Sequence, residues 1–412
     1  MLPRRAPGDG RGPTSARLTR VPPTPAAECS RRLSALRQGL AGRGLEGALV
    51  LQAVDVLWLS GTRQNAALWV PAEGEPALLV RKSLERARSE SPLARVVPFP
   101  PSRELSGVVG PARRLGLTLD VVPVAVQQFW SKALPGAEWT DVSGLVRELR
   151  SVKSPWELAR MRETARLLSG VLREVPTFLR PGMREVDLAA EIELRLRRAG
   201  NEGSPRVRGF NQEFFMGLAV AGGAATAPSY FGGPVTGRGL SPSSPLGASV
   251  DPIARDVPVL LDYTAIRGGY VTDMSRIAVC GRMAPELERA FGVARAIQDE
   301  LAAALVPGAV PSRLFERARE RADAAGLGDR FMGPPGAQAR FVGHGIGLEL
   351  DEVPVLAPGF DEPLRPGQTL AIEPKFVFPG QGAVGIENTW VVGEAGGERI
   401  TELPDELLAV EG

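Results

Sequence analysis

The sequence predicts an α+β protein of two domains: an α/β domain over residues 26–150 and a larger domain over 151–412 built from two similar halves. Three observations carry that expectation. A chain of 412 residues exceeds the usual limit of one hydrophobic core, and its 43% apolar content is enough to fill two. A strong helix-start signal stands at Ser154. Beyond it a helix, helix, strand pattern occurs twice, and each copy ends in strands that carry a pair of acids.

Taken in order, residues 1–25 (MLPRRAPGDGRGPTSARLTRVPPTP) hold five arginines against one aspartate and no apolar core of a secretory signal. They are expected as a disordered tail or a start codon placed too early; an organelle transit peptide is supported only by the arginine bias. From Ala27 to about Leu149, helix-like and strand-like pieces alternate: RRLSALRQGLAGRGL, GALVL, VLWLSG, AALWVPAEGEPALLV, SLERARSES. That is the pattern of an α/β domain. Nothing in it has the spacing of a catalytic constellation. Asp55 and Trp58 can line a site, but a strand end feeding a turn explains them equally well.

At SPWE, Ser154 supplies an N-cap, Pro155 the first helical position and Glu157 the returning side chain of a capping box. Leu158, Met161, Ala165, Leu168, Leu172 and Val175 then recur with helical period. Helices ending in "FLRPG" and "ALVPG" are each followed by a second helix, ending in "RRAG" and "DAAG". Pro181 to Gly200 and Pro307 to Gly326 span the same distance.

Both halves continue into β structure with paired acids. In "PVLLDYTAIRGGYVTDMSRIAV" a hairpin with Arg267 and Gly268 in its loop sets Asp262 opposite Asp273. In "TLAIEPKFVFPGQGAVGIENTWVV" a turn centred on Gly380 sets Glu373 opposite Glu387. Like charges opposed across strands destabilise a hairpin, so a bound cation is expected to neutralise them. For one pair alone, solvated acids with a slipped register are the simpler reading; two pairs, one in each half, favour a metal site. His344, the only histidine, lies on the glycine-rich turn "FVGHGIGLELDEVP" and is the natural fifth ligand. Four carboxylates match two divalent cations. An oxygen-rich site with one imidazole suits Mn, with Co, Zn or Fe as alternatives. Two such ions deprotonate a bridging water, giving a hydroxide nucleophile at neutral pH.

At these residues the chain resembles the pita-bread metallopeptidases (aminopeptidase P, prolidase, methionine aminopeptidase, creatinase), and most closely the Xaa-Pro branch. "LLDYTAIRGGYVTDMSR", "GHGIGLEL", "LRPGQTLAIEPKFV" and "GIENTWVV" carry the resemblance, together with "LWLSGT", "GEPALLV" and the linker "LRSVKSPWELARMR". It implies a creatinase-like N-terminal domain and a pita-bread domain of two pseudo-symmetric halves. It also implies Asp262, Asp273, His344, Glu373 and Glu387 as dinuclear metal ligands, Glu373 as proton shuttle, and a homodimer. The implied activity is hydrolysis of the bond before proline by a metal-bridged hydroxide. A lyase or small amide or guanidino hydrolase on the same fold is the alternative, and a non-catalytic binding protein the third.

The chain departs from the family pattern at three positions. Ser229, in "TAPSYF", stands where a family histidine polarises the substrate carbonyl, and Asp351, in "GLELDE", stands where a second histidine follows the ligand turn. Gly385 stands where an arginine often precedes the last glutamate. Ser229 can donate a hydrogen bond; an ionised Asp351 cannot, and instead suits a cationic group or the role of a base. The Gly/Pro/Ser-rich segment within 226–258 is expected as a lid or an active-site wall.

Composition narrows the partners. There are 49 basic and 47 acidic residues, and four lysines stand against 45 arginines, as coding bias produces. No concentrated basic face is indicated, which argues against nucleic acid or an anionic membrane and leaves a small peptide or peptide-like substrate. Two distant cysteines give neither a disulfide scaffold nor a cysteine zinc site, and fit a reducing, cytoplasmic location. A G-x-S-x-G motif is absent, and the one histidine is claimed by metal, which removes a Ser-His nucleophile.

Overall fold

The computed structural model describes residues 18–410. Of the expected tail, residues 1–17 lie outside the described residues; 18–25 run along the 267–269 turn, where Arg267 donates to the Thr19 carbonyl at 3.0 Å. The N-terminal part carries a six-stranded mixed sheet of β1 (Gly47–Val50), β2 (Ala66–Pro71), β3 (Ala77–Val80), β4 (Arg95–Pro98), β5 (Arg114–Leu117) and β6 (Glu138–Asp141). Its order is β4-β3-β2-β1-β5-β6, antiparallel across β3-β2-β1 and parallel elsewhere. Helices α1 (Ala26–Ala41), α2 (Ala53–Ser60), α3 (Leu84–Glu90), α4 (Leu105–Val109), α5 (Val124–Ala133) and α6 (Ser143–Ser151) accompany it.

One expectation fails here. "VLWLSG" is not a strand but the end of α2, whose first turn is capped by Gln52 accepting from the Val54 and Asp55 amides at 2.6 and 2.8 Å. Gly61, at φ 76°, closes it in the left-handed conformation. A short helix buried on nearly all sides shows no polar face, so its period cannot be read.

The long helix α7 (Pro155–Phe178) starts as the sequence predicts, with the Ser154 and Glu157 capping box formed. Met161, Ala165, Leu168, Leu172 and Val175 are buried and Leu158 is half-buried. With α8 (Glu185–Ala199), α7 covers one face of a sheet ordered β17-β9-β8-β7, made of β7 (Gly217–Ala221), β8 (Pro258–Arg267), β9 (Tyr270–Cys280) and β17 (Leu408–Val410). The second half repeats the scheme. Helices α9 (Pro285–Ala303) and α10 (Pro311–Ala324) lead into β10 (Gly343–Gly345), β11 (Glu352–Leu356), β12 (Thr369–Ile372), β13 (Lys375–Phe378), β14 (Gly382–Gly385), β15 (Asn388–Gly393) and β16 (Gly396–Arg399). Its main sheet is ordered β11-β10-β12-β15-β16, with β13 and β14 as a separate ribbon. The two halves meet where Ser275 and Glu387 exchange backbone hydrogen bonds of 3.3 and 3.4 Å.

Alternation along β8 and β9 sorts side chains by function. Val259, Leu261, Tyr263 and Ala265 on β8, with Met274 and Ala278 on β9, pack under α7 and α8. Asp262 and Asp273 therefore project from the opposite face, towards the other half. Among the described residues no helix is long and apolar enough to cross a membrane.

Candidate metal centre

The first acid pair sits two positions out of the expected register. Asp262 pairs with Ser275 and Asp273 with Thr264, because the two-residue turn is Gly268-Gly269 rather than Arg267-Gly268. Both glycines have positive φ, 62° and 83°, as a type I′ turn requires; Arg267 is thereby spared a left-handed conformation. A slip of two residues preserves the face, so the carboxylates still converge, diagonally rather than directly opposed. The second pair falls in the expected register. Ile372 pairs with Asn388 on one side and Lys375 with Gly385 on the other, which brackets Glu373 and Glu387 between two ladders.

His344 stands on a strand, not a turn. β10 lies between β11 and β12, and its glycines leave room for both neighbours: a Cβ on Gly343 would be 2.6 Å from the Ala371 carbonyl oxygen, and one on Gly345 2.5 Å from that of Val353. Gly345→Ala is accordingly expected to lower stability by about 1–3 kcal/mol through overpacking, and to weaken metal binding by displacing His344. A thermal melt with a Mn²⁺ titration checks both effects. The imidazole is oriented by its neighbours: Nδ1 lies 3.0 Å from the Leu350 carbonyl oxygen and 3.1 Å from that of Gly345. Two carbonyl acceptors place the ring proton on Nδ1 and leave the Nε2 lone pair facing the acids. Nε2 is 3.6 Å from Glu373 Oε1 and 3.9 Å from Glu387 Oε1.

The strands around the ligands are fixed by polar contacts. Thr389 Oγ1 accepts from the Asp273 amide at 3.1 Å and donates to its carbonyl at 2.8 Å. The fully buried Arg276 donates to the Glu387 carbonyl at 2.9 Å and to Asn388 Oδ1 at 2.9 Å.

Two triads of donors result, Asp273/His344/Glu387 and Asp262/Glu373/Glu387, with the ligand atoms of each within 4.8 Å of one another. The chemistry of the two differs. Asp273 Oδ1 and Glu387 Oε1 are buried and have no hydrogen-bond partner among the described residues. Burial and the adjacent Asp262 carboxylate push Asp273 well above the usual carboxylate range; burial and Asp273 do the same to Glu387. Oxygens so placed fit a cation. Around His344, burial disfavours the imidazolium, but Asp351, Glu373 and Asp273 outweigh it and its pKa rises.

The second triad already faces a cation, which sequence reasoning missed. Lys375 Nζ donates to Asp262 Oδ2 at 2.9 Å, Glu373 Oε2 at 2.5 Å and Glu387 Oε2 at 2.9 Å. Burial would lower the pKa of this ammonium, but those three carboxylates raise it well above the ordinary value. The signal was present: one of only four lysines lies two residues after Glu373, on the same face of the chain and opposite a glycine.

A pocket opens over the acids, with Asp262, Asp273, His344, Glu373 and Glu387 among its lining. Its walls are aromatic and apolar. Phe214 and Phe231 meet edge to face at 4.7 Å. Phe231, Val235 and Leu246 of the 226–258 segment line it, so that segment forms a wall of the pocket. Asp351 also lines it, partly exposed and 3.7 Å from His344 Nδ1. Ser229 does not line it. That side chain borders a smaller adjoining cavity, where its hydroxyl is buried without a partner among the described residues. Asp55 and Trp58 are also remote from the acids: Asp55 is fully buried against Arg150 and Arg208, and Trp58 donates to Glu157 at 3.0 Å.

Residues 159–394 match metallopeptidase family M24 and residues 32–152 match the creatinase/prolidase N-terminal domain. The chain belongs to metallopeptidase family M24, with a creatinase-type domain ahead of a pita-bread domain. Among particular relatives, it is 26% identical over 387 residues to the uncharacterized peptidase YqhT of Bacillus subtilis, covering 92% of this chain and 99% of that protein. It is 24% identical over 379 residues to the Xaa-Pro dipeptidase of Pyrococcus furiosus, with 92% and 99% covered. The solved Xaa-Pro dipeptidase of Bacillus anthracis shares the fold with a TM-score of 0.80 at 23% identity, covering 92% of this chain and 99% of that one.

Proposed function

We propose that this protein is a metal-dependent Xaa-Pro dipeptidase, hydrolysing the bond before proline in small peptides. The observation that carries the reading is the pair of unpartnered buried oxygens, Asp273 Oδ1 and Glu387 Oε1, beside His344 Nε2 at the floor of an aromatic pocket. The similarity to the Xaa-Pro dipeptidases of Pyrococcus furiosus and Bacillus anthracis suggests the substrate class. Mn is the preferred ion for this mixed oxygen and imidazole set, with Co, Zn or Fe as alternatives.

A divalent ion held by Asp273, His344 and Glu387 supplies Lewis acidity to the scissile carbonyl and lowers the pKa of the attacking water. The protein's own residues do the rest. Glu373, fixed through Oε2 by Lys375, turns Oε1 towards His344 and takes the water proton there, then passes it to the departing proline nitrogen. Phe214, Phe231 and Leu350 exclude water and cover the proline ring. Asp351, at the pocket wall, faces the substrate ammonium group. Ser229 has no part in this scheme.

The test is hydrolysis of Xaa-Pro dipeptides by the Mn-loaded protein, with Glu373→Ala as the inactive control. The variant is expected to lose about 10²–10⁴ in kcat while still binding substrate. An N-acetylated dipeptide is expected to show a higher KM, which reads the Asp351 contact. Equal turnover of free and acetylated substrates would remove Asp351 from the site, and failure to cleave any Xaa-Pro peptide would remove the proposed substrate class.

A further inference from the structure

We infer that Lys375 takes the place of one metal ion, so that this chain binds a single divalent cation, at Asp273, His344 and Glu387. The inference deepens the metal-dependent reading above and rests on it, and it reduces the sequence expectation of two ions to one.

An ammonium has three N–H donors. Lys375 Nζ directs one to each of three different side chains: Asp262 Oδ2, Glu373 Oε2 and Glu387 Oε2. A divalent ion bound to those same oxygens would lie about 2.0–2.2 Å from each, within the space the nitrogen fills. The two cannot coexist there.

The lysine also has no simple retreat. Its side chain is 1% exposed, and its stem lies over Gly385, its partner across the β13-β14 ribbon. A Cβ on Gly385 would stand 2.5 Å from Lys375 Cγ. The glycine therefore makes the space through which the lysine reaches the acids. Glu387 divides its two oxygens accordingly, giving Oε2 to the ammonium and keeping Oε1 unpartnered beside Asp273 Oδ1.

The four carboxylates face three positive charges if one divalent ion joins the ammonium, and five if two do. These leave net charges of about −1 and +1, equally far from neutrality, so the exclusion of a second ion rests on the oxygens the ammonium already occupies. Lys375 thus neutralises and positions Glu373, while the Lewis acid function falls to one ion.

The experiment is metal stoichiometry on the full chain, stripped of metal, incubated with excess Mn²⁺, desalted and measured by mass spectrometry, with the Mn²⁺ electron paramagnetic resonance spectrum recorded alongside. One ion per chain with the signal of an isolated Mn²⁺ is expected. Lys375→Gly is expected to take up two, with a spin-coupled signal. Two coupled ions in the unmodified chain would overturn the inference and leave the metal-dependent reading intact; no bound ion would overturn both. A soluble Lys375→Gly that still holds one ion would also overturn it, since the lysine would not be what excludes the second. If that variant is insoluble, the stoichiometry of the unmodified chain decides alone.

Discussion

Glu387→Gln is expected to weaken Mn²⁺ binding by more than about 100-fold, since loss of an outer partner of a metal ligand already costs about 10–100-fold. Hydrolysis of Xaa-Pro dipeptides should fall at least as far. Glu387 is the one side chain shared by both donor triads, accepting from Lys375 with one oxygen and leaving the other beside Asp273 and His344. The amide keeps the shape and removes the charge. It also sets an NH₂ group against either the ammonium or the cation, two groups that need acceptors. Calorimetric Mn²⁺ titration and kcat/KM for one dipeptide measure the effect. Unchanged metal affinity would mean that the ion is held elsewhere.

The largest expected effect on stability lies beyond the site, in a buried ionic network that ties the N-terminal part to the chain following His344. Arg150 donates to Asp55 Oδ1 at 2.7 Å and Glu352 Oε1 at 2.5 Å and forms an ion pair with Glu349 Oε2 at 2.8 Å; Lys153 donates to Glu352 Oε2 at 2.8 Å. Glu352 Oε1 also accepts the Leu348 and Glu349 amides at 3.0 and 3.2 Å, so one carboxylate holds both the interface and the loop. Glu352→Gln retains an acceptor for the amides but leaves Lys153 without its counter-charge. Breaking a buried pair from one side costs about 3–5 kcal/mol, and a loss of unfolding free energy of that size is expected in denaturant titration.

The same carboxylate gives an acid-stability window. Burial disfavours the ionised form of Glu352, but Lys153 and Arg150 more than reverse this and hold it at about 2, against an ordinary 4.5. In the unfolded chain Glu352 takes up its proton at the higher pH. Its contribution is therefore complete above about pH 4.5 and lost as pH falls towards about 2. Melting curves across that range should drop more steeply for the unmodified chain than for Glu352→Gln. Parallel curves would show that this group does not carry the acid response.

Much of the site was legible because strand alternation and turn chemistry act over short distances. The Gly380 turn fixed the face and register of Glu373 and Glu387 correctly. At the other hairpin, reading Arg267 into the loop misplaced the register by two, and only the even size of the error kept Asp262 and Asp273 on one face. Less was legible where tertiary contacts decide. The helix α2 is apolar because it is enclosed, Ser229 falls into the neighbouring cavity although it lies close in sequence to the pocket wall, and the glycines around His344 serve strand packing rather than a turn. Lys375 was the most consequential omission. Its cross-strand glycine was visible in the sequence, but its three acceptors come from both halves of the domain and meet only in the folded chain.

The central claim is that Asp273, His344 and Glu387 hold a divalent ion on which peptide hydrolysis depends. The most direct test is Xaa-Pro dipeptide cleavage by chelator-stripped protein, followed by addition of Mn²⁺. Loss of cleavage on stripping and its return with added Mn²⁺ is the expected result; cleavage that continues undiminished in fully metal-free protein would contradict it.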